Sequence, residues 1–311
     1  MFALRTDRIF QWLCLISAMI AGLLMLGFFV QLSLSSVSTW RQFGLGFLVS
    51  NDWDPVANRF GALPSIVGTL CTTVIALLLA IPLAFAAALY LVDAPPLLSN
   101  ILSHAIDLLA AIPSVIYGMW GLFVMVPIMQ KHVQPFMVDV LRLHRLPVIG
   151  RYIGEYYNGF GIFTAGIILA IMVLPYIYAI LRDVIKMTPP VLREAAYGVG
   201  CTRWETAKDI VLRYGIRGVL GGIFIGLGRA LGETMAVLFV IGNLMDMPED
   251  IFSGATTIAA TLANNFAEAD GLQRSALFAL GLVLLLMSFS IQVAAQYYLH
   301  ATSARRGESR S

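Results

Sequence analysis

Residues 60–92 read FGALPSIVGTLCTTVIALLLAIPLAFAAALYLV, a run without one formal charge. An α-helix rises about 1.5 Å per residue, so roughly 20 apolar residues cross the hydrocarbon core of a bilayer. This run is long enough, and four others match it outward along the chain: 9–40, 108–130, 156–181 and 275–304 carry no charge either. A sixth stretch, Gly218 to Met245, is apolar except for Arg229 and Glu233. The pattern predicts an all-α polytopic membrane protein, residues 1–311 forming one transmembrane domain with about six helices. The expected spans are 10–34, 64–91, 100–127, 160–181, 218–242 and 275–298. The third begins before its charge-free run and contains Asp107.

Composition agrees. Of 311 residues, 59% are hydrophobic and 12% charged, with a mean hydropathy of +0.83. Soluble domains carry about 25% charge. A soluble enzyme, a disordered tail protein and a nucleic-acid binder are thereby disfavoured, and a net charge of +2 points to no acidic partner. Cys14, Cys71 and Cys201 form no C-x-x-C pair, and His104, His132, His144 and His300 form no H-x-x-x-H. No metal or other cofactor is expected. The first apolar run follows Arg5 and Arg8 as a signal peptide would. Its core exceeds the 7–15 residues of a signal h-region and no A-x-A site follows, so a retained helix is expected.

Lysine and arginine set the orientation. With the N-terminus inside, the inner segments hold twelve of the twenty basic residues, seven of them in 182–217. The outer segments hold Arg41, Arg59, Lys131, Arg142, Arg145, Arg151 and Arg274. Both termini are expected in the cytoplasm. The outer 35–62 segment, with Trp40, Phe43, Phe47 and Trp53, suits the membrane surface. In the acidic 243–273 segment, the uncharged middle from Ser253 to Phe266 suits a re-entrant or surface helix. Asn158-Gly159 signals a turn.

The inner segment predicts two helices around a turn. Thr188 suits an N-cap before Pro189 and Pro190. Val191 to Gly198 favours helix, Gly200 suits a left-handed end, and a second helix carries Trp204, Ala207, Ile210, Val211 and Leu212. Within it, Glu194-Ala195-Ala196, Gly200 and Ile210-Val211-Leu212 fall in the spacing E-A-A-x3-G-x9-I-x-L. This resembles the EAA loop of ABC-importer permeases, departing from it at Arg213, where the family has proline. The resemblance implies that segment 188–213, through Glu194, Ala195, Ala196 and Gly200, docks in a groove of a separate ATPase subunit. No G-x-x-x-x-G-K-[ST] occurs in the chain, so ATP hydrolysis belongs to a partner and the chain itself is not expected to be an enzyme.

The fifth span is unusual. Gly218, Gly222 and Gly226 repeat every four residues, a spacing that lets helices approach closely in lipid. Steps of four and three place Gly222, Gly226, Arg229, Glu233 and Ala236 on one face. A charge at mid-bilayer costs about 2.5–3.5 kcal/mol. The pair reads either as a structural ion pair or as an anion-handling arginine held by Glu233. A guanidinium offers planar, bidentate donors to an oxyanion. In the third span, Pro113 removes a helix hydrogen bond and frees the Leu109 carbonyl. Broken membrane helices line cavities, where Ser114 and Tyr117 would offer hydroxyls; a simple packing kink is the alternative. Asp107 either pairs with a cation or reaches the cytoplasm.

Gly228-Arg229-Ala230-Leu231-Gly232-Glu233-Thr234 resembles the R-A-x-G-E-T segment of phosphate ABC-importer permeases. Ile112-Pro113-Ser114-Val115-Ile116-Tyr117-Gly118 is similar to their I-P-S-V-x-Y-G. Phe60 to Pro64, Gly68-Thr69 and the outer insertion 130–159 resemble the PstC-type subunit more than the sister PstA-type. The resemblance implies a type I importer permease fold in the bacterial plasma (inner) membrane. It also implies a sister permease, two ATP-binding subunits and an extracytoplasmic phosphate-binding protein as partners, with inorganic phosphate as cargo. Arg229, Glu233, Thr234 and Ser114 are then the expected substrate-path residues. An importer of another oxyanion and an ion-coupled secondary transporter with an Arg229–Glu233 proton relay are the rivals. The two resembling segments argue against the first, and the EAA loop against the second.

Overall fold

The computed structural model describes residues 2–92, 94–142, 150–154 and 158–307. Arg145 and Arg310 lie outside the described residues. Twelve helices in chain order carry the fold among these residues: α1 (Phe2–Ser35), α2 (Val37–Phe43), α3 (Gly46–Val49), α4 (Leu63–Val92), α5 (Pro96–Ala111), α6 (Ser114–Val140), α7 (Ile162–Lys186), α8 (Pro190–Gly198), α9 (Arg203–Leu231), α10 (Met235–Leu238), α11 (Ile258–Asn265) and α12 (Gly271–Gly307). A two-residue hairpin pairs β1 (Trp53–Asp54) with β2 (Arg59–Phe60), antiparallel. Five helices are long and apolar enough to cross a membrane, and the bent pair α5–α6 makes up to six.

The centre is α7, the most buried span. It packs on α4 through small residues: Ala76, Ala80, Ala84 and Ala88 are all fully buried, four residues apart. With Gly68 and Thr72 they form a stripe of small side chains readable in the sequence, the same close-approach device as the glycines of the fifth span. From the opposite helix, a Cβ at Gly166 would sit 2.5 Å from Ile75 Cγ2. On its other flank α7 receives the glycine face of α9. A Cβ at Gly226 would lie 2.6 Å from Ile177 Cγ1, one at Gly222 2.9 Å from Ile180 Cγ2, and one at Gly218 would collide with Val184. The predicted close-packing face is therefore real, and its partner is α7.

The third span is corrected. It is not one kinked helix over 100–127 but two helices bent by 96° at Ile112–Pro113. Ile112 is extended (φ −70°, ψ 126°), as expected of a residue before proline. The second piece runs on with π turns to Val140, so residues 130–140, expected in the outer insertion, are helical. The fifth span is corrected too. It begins at Arg203, absorbing the predicted second cytoplasmic helix, and ends at Leu231 instead of 242. Arg213 causes no break: a proline would interrupt the helix, whereas Arg213 lies within it and reaches Asp209 at 3.5 Å.

Segment 35–62, expected on the outer membrane surface, is more than a surface strip. Trp40, Phe43, Phe47, Trp53 and Phe60 form edge-to-face pairs and pack with Leu277 and Leu280 of α12. The 253–266 segment turns inward. Thr256, Ile258 and Ala260 are fully buried, Thr69 Oγ1 accepts the Ile258 N–H at 3.0 Å, and Ser65 Oγ lies 3.0 Å from Thr261 Oγ1. The hydroxyl face at the start of α4 thus supplies the polar partners that this buried backbone needs. Gly159 adopts φ 76° in the expected turn and donates to Gln134 Oε1 at 3.1 Å.

Candidate functional site

Two breaks meet in this fold. After Ala111 the chain turns at Ile112–Pro113 and restarts as α6; after Leu231 it turns at Gly232–Thr234 and restarts as α10. The restarted pieces pack together. A Cβ at Gly118 would lie 2.8 Å from the Met235 carbonyl oxygen and 3.2 Å from Ala236 Cα, so only glycine admits this approach. The segments 112–118 and 228–234, over a hundred residues apart, are hence neighbours in space.

At each break, freed backbone groups find side-chain partners. The Leu109 carbonyl, released by Pro113 as expected, accepts the Tyr117 hydroxyl at 2.8 Å. Tyr117 is buried and committed to this bond, which corrects the expectation that its hydroxyl faces a cavity. The next carbonyl, Ala110, accepts from the Tyr176 hydroxyl of α7 at 3.1 Å. At the other break, Glu233 Oε1 accepts the Ala236 N–H at 3.2 Å, closing the start of α10.

This arrangement corrects the charged pair. Glu233 does not share a helix face with Arg229, because it lies beyond the helix end. Its side chain is 7% exposed and turned to the α10 backbone. No hydrogen bond or ion pair joins it to Arg229; among the described residues, no carboxylate lies within ion-pair distance of that arginine. Two glycines, Gly228 and Gly232, weaken the last turn of α9, and a carboxylate that can bond a free N–H locally does so. Arg229 instead sits over the ring of Tyr176, its Cζ 4.9 Å from the centroid. It is exposed at the surface of this chain. A ring face holds a cation without engaging its N–H donors.

Of the other expected path residues, Ser114 opens α6 and is half-buried, without a hydrogen-bond partner among the described residues. Thr234 is half-buried beside the second break, its hydroxyl 3.4 Å from the Gly232 carbonyl. All four residues therefore belong to the two breaks, although Glu233 faces inward. Asp107 pairs with a cation, the first of its two expected fates: Arg182 lies 3.4 Å away, and the carboxylate is half exposed. Tyr176 was not foreseen. The available signal was a Pro-Tyr-x-Tyr run, residues 175–178, two phenols in a span with no charge to serve.

The short helix α8 follows α7, in the segment expected on the cytoplasmic side. Pro189, not Thr188, occupies the N-cap position, and Thr188 is buried. Proline at the first helical position leaves no N–H to cap there. The C-terminus closes as a Schellman motif: Cys201 N–H bonds the Ala196 carbonyl and Gly200 N–H that of Tyr197, both at 3.0 Å, with Gly200 at φ 92°. The next helix opens with a capping box between Thr202 and Glu205. Glu194, Ala195 and Gly200 are exposed. Ala196 is buried, facing the chain's own 206–211 segment, and is corrected from the docking face. A cavity of about 680 Å³ separates α8 from the C-terminal end of α4, walled by Tyr90, Tyr197 and Trp204. A second, of about 270 Å³, lies at the first break and is apolar, lined by Ile112, Ile116, Tyr117 and Trp120. Neither includes Arg229.

The geometry is that of a helical membrane chain with two apposed breaks and an exposed, glycine-closed short helix. Residues 80–303 match the family described as "Binding-protein-dependent transport system inner membrane component". The chain is 48% identical over 272 residues to the "Phosphate transport system permease protein PstC" of Pasteurella multocida, covering 87% of this chain and 84% of that one. It is 41% identical to the protein of that name from Haemophilus influenzae, covering 97% and 96%.

The chain belongs to the PstC family of permeases.

Another PstC, from Mesorhizobium japonicum, is 45% identical, covering 98% of this chain and 93% of that one. Among solved structures, the inward-facing MetNI methionine ABC transporter matches with a TM-score of 0.56 at 16% identity, covering 76% of this chain and 94% of that one. A bacterial ABC transporter for import of the acidic polysaccharide alginate matches with 0.54 at 17%, covering 84% and 88%. The fold is that of type I ABC-importer permeases, and the permease is a multi-pass protein of the inner membrane that works within an ABC transporter.

Proposed function

We propose that this permease is the PstC-type subunit of an ATP-driven importer of inorganic phosphate, forming one half of the translocation path. The observation that carries the reading is Arg229. It is a fixed positive charge in a membrane segment, held by a ring face, with no carboxylate among the described residues to neutralise it. Such a charge is expensive in lipid unless it faces water or a polar partner. Its exposure in the single chain fits a path shared with a sister permease. Phosphate would approach the guanidinium edge, where planar donors match oxyanion geometry. Ser114 and Thr234 are the neighbouring hydroxyls, while Glu233 shapes the break instead of orienting Arg229.

In the same reading, both termini are cytoplasmic, and an extracytoplasmic phosphate-binding protein delivers the anion. The exposed face of α8, with Glu194 and Ala195, docks on one of two ATP-binding subunits, which hydrolyse ATP in place of this chain. Closure of those subunits would drive alternating access. A proton relay between Arg229 and Glu233 is disfavoured, because the two side chains are not in contact. The test is Arg229→Gln in the assembled importer: phosphate uptake should fall at least tenfold while the subunits still co-purify. Normal uptake would remove Arg229 from the path and sink the reading.

A further inference from the structure

We infer that Tyr176 is a positioning residue for transport: its ring holds the Arg229 guanidinium on the path, and its hydroxyl links that charge to the break in the third span. The inference rests on the anion role of Arg229 proposed above. Tyr176 touches the ends of both broken helices, Arg229 near the end of α9 and the Ala110 carbonyl near the end of α5.

The chemistry of the two contacts is complementary. The ring face attracts the cation through its quadrupole and leaves the guanidinium N–H edge for an oxyanion. A carboxylate in the same place would neutralise the charge and occupy those donors. The hydroxyl completes the Ala110 carbonyl, whose usual helical partner, the N–H of Ser114, belongs to the separate helix α6 after the bend. Both contacts come from one rigid, two-torsion side chain, so movement at either break is transmitted to the other.

The α5 helix is built to move. None of its residues is buried. It is tied to α7 by polar contacts on one face: Ser103 to the Tyr178 hydroxyl at 2.8 Å, Asp107 to Arg182 at 3.4 Å, and Ala110 to Tyr176. Positions 103, 107 and 110 follow the four-three spacing of a single helix face. Polar ties can exchange for water or other partners as a helix swings, which packed apolar side chains do less readily. The bend at Ile112–Pro113 supplies the hinge. When α5 moves, the Ala110 bond opens, the phenol is released, and the guanidinium loses its fixed seat.

The experiment uses the assembled importer in proteoliposomes with saturating phosphate-loaded binding protein, and reads phosphate delivered per ATP hydrolysed. Tyr176→Phe keeps the ring, so the ratio should stay within twofold while the uptake rate changes by two- to fivefold; an unchanged rate overturns the link to the break. Tyr176→Leu should lower the ratio at least fivefold. A normal ratio in the leucine variant, or an equal loss in both, overturns the ring's role. Replacing Tyr176 with phenylalanine of increasing ring fluorination keeps the shape and weakens only the negative face. The ratio must then fall with each fluorine, and a flat response overturns the inference even if the leucine variant fails to assemble. Arg229→Gln run in parallel separates the two ideas. Normal uptake there ends the anion role itself, whereas loss there with a flat Tyr176 series ends only the positioning role.

Discussion

Replacing Gly68 by alanine should destabilise the permease by a few kcal/mol through one added methyl group. Gly68 faces the Thr256 carbonyl so closely that a Cβ would overlap its oxygen. Carbon and carbonyl oxygen need roughly 3.3 Å, so one backbone must retreat by on the order of 1 Å. The retreat pulls the 253–266 segment from α4. It stretches the bond from Ile258 N–H to Thr69 Oγ1 and the Ser65–Thr261 hydroxyl bond, both now 3.0 Å. Two buried hydrogen bonds are worth about 1–3 kcal/mol together, and residual over-packing adds about 1–3 kcal/mol. Alanine returns up to about 1 kcal/mol as the better helix former. The net loss is about 1–6 kcal/mol, with a central value of about 3. At roughly 2–4 °C per kcal/mol, the melting temperature of the detergent-solubilised complex should fall by about 6–12 °C. Gly22→Ala in α1, where a Cβ meets nothing within 4 Å, serves as the control and should stay within about 1 kcal/mol of the parent. An unchanged melting temperature for Gly68→Ala would show that the inward-turned segment does not lie against α4.

Two further outcomes follow from the breaks and the coupling helix. Tyr117→Phe removes the hydroxyl from the Leu109 carbonyl, which keeps the Ile112 N–H at 3.3 Å, and should cost about 0.5–1.5 kcal/mol, read as a lowered melting temperature with assembly intact; no shift would mean that water or another group replaces the phenol. Gly200→Ala places a side chain at φ 92°, costing about 1–2 kcal/mol in the Schellman turn. It should reduce recovery of the ATP-binding subunits in pull-downs, and full recovery would detach the turn from docking.

About six spans, the glycine face of the fifth and the helix-turn-helix after the fourth were legible in the sequence. These rest on properties that add along one helix: length against bilayer thickness, small residues at fixed spacing, and turn chemistry such as Gly200. Even the freed Leu109 carbonyl followed from Pro113 alone. The fate of Arg229 and Glu233 did not. Helical spacing placed them on one face, but spacing holds only while the helix continues, and it stops at Leu231. Where it stops depends on what receives the released backbone groups. Here those receivers are Glu233 itself for Ala236, and the neighbouring Gly118 that lets α10 approach. The partner of Arg229 likewise comes from Tyr176, more than fifty positions away on another helix. The sequence by itself thus determined an importer permease of about six spans with one unusual charged stretch within a span. Only the tertiary structure decided that the arginine rests on a ring while the glutamate caps a helix. Burial and hydrogen-bond satisfaction at a break are set by neighbours that the local pattern does not contain.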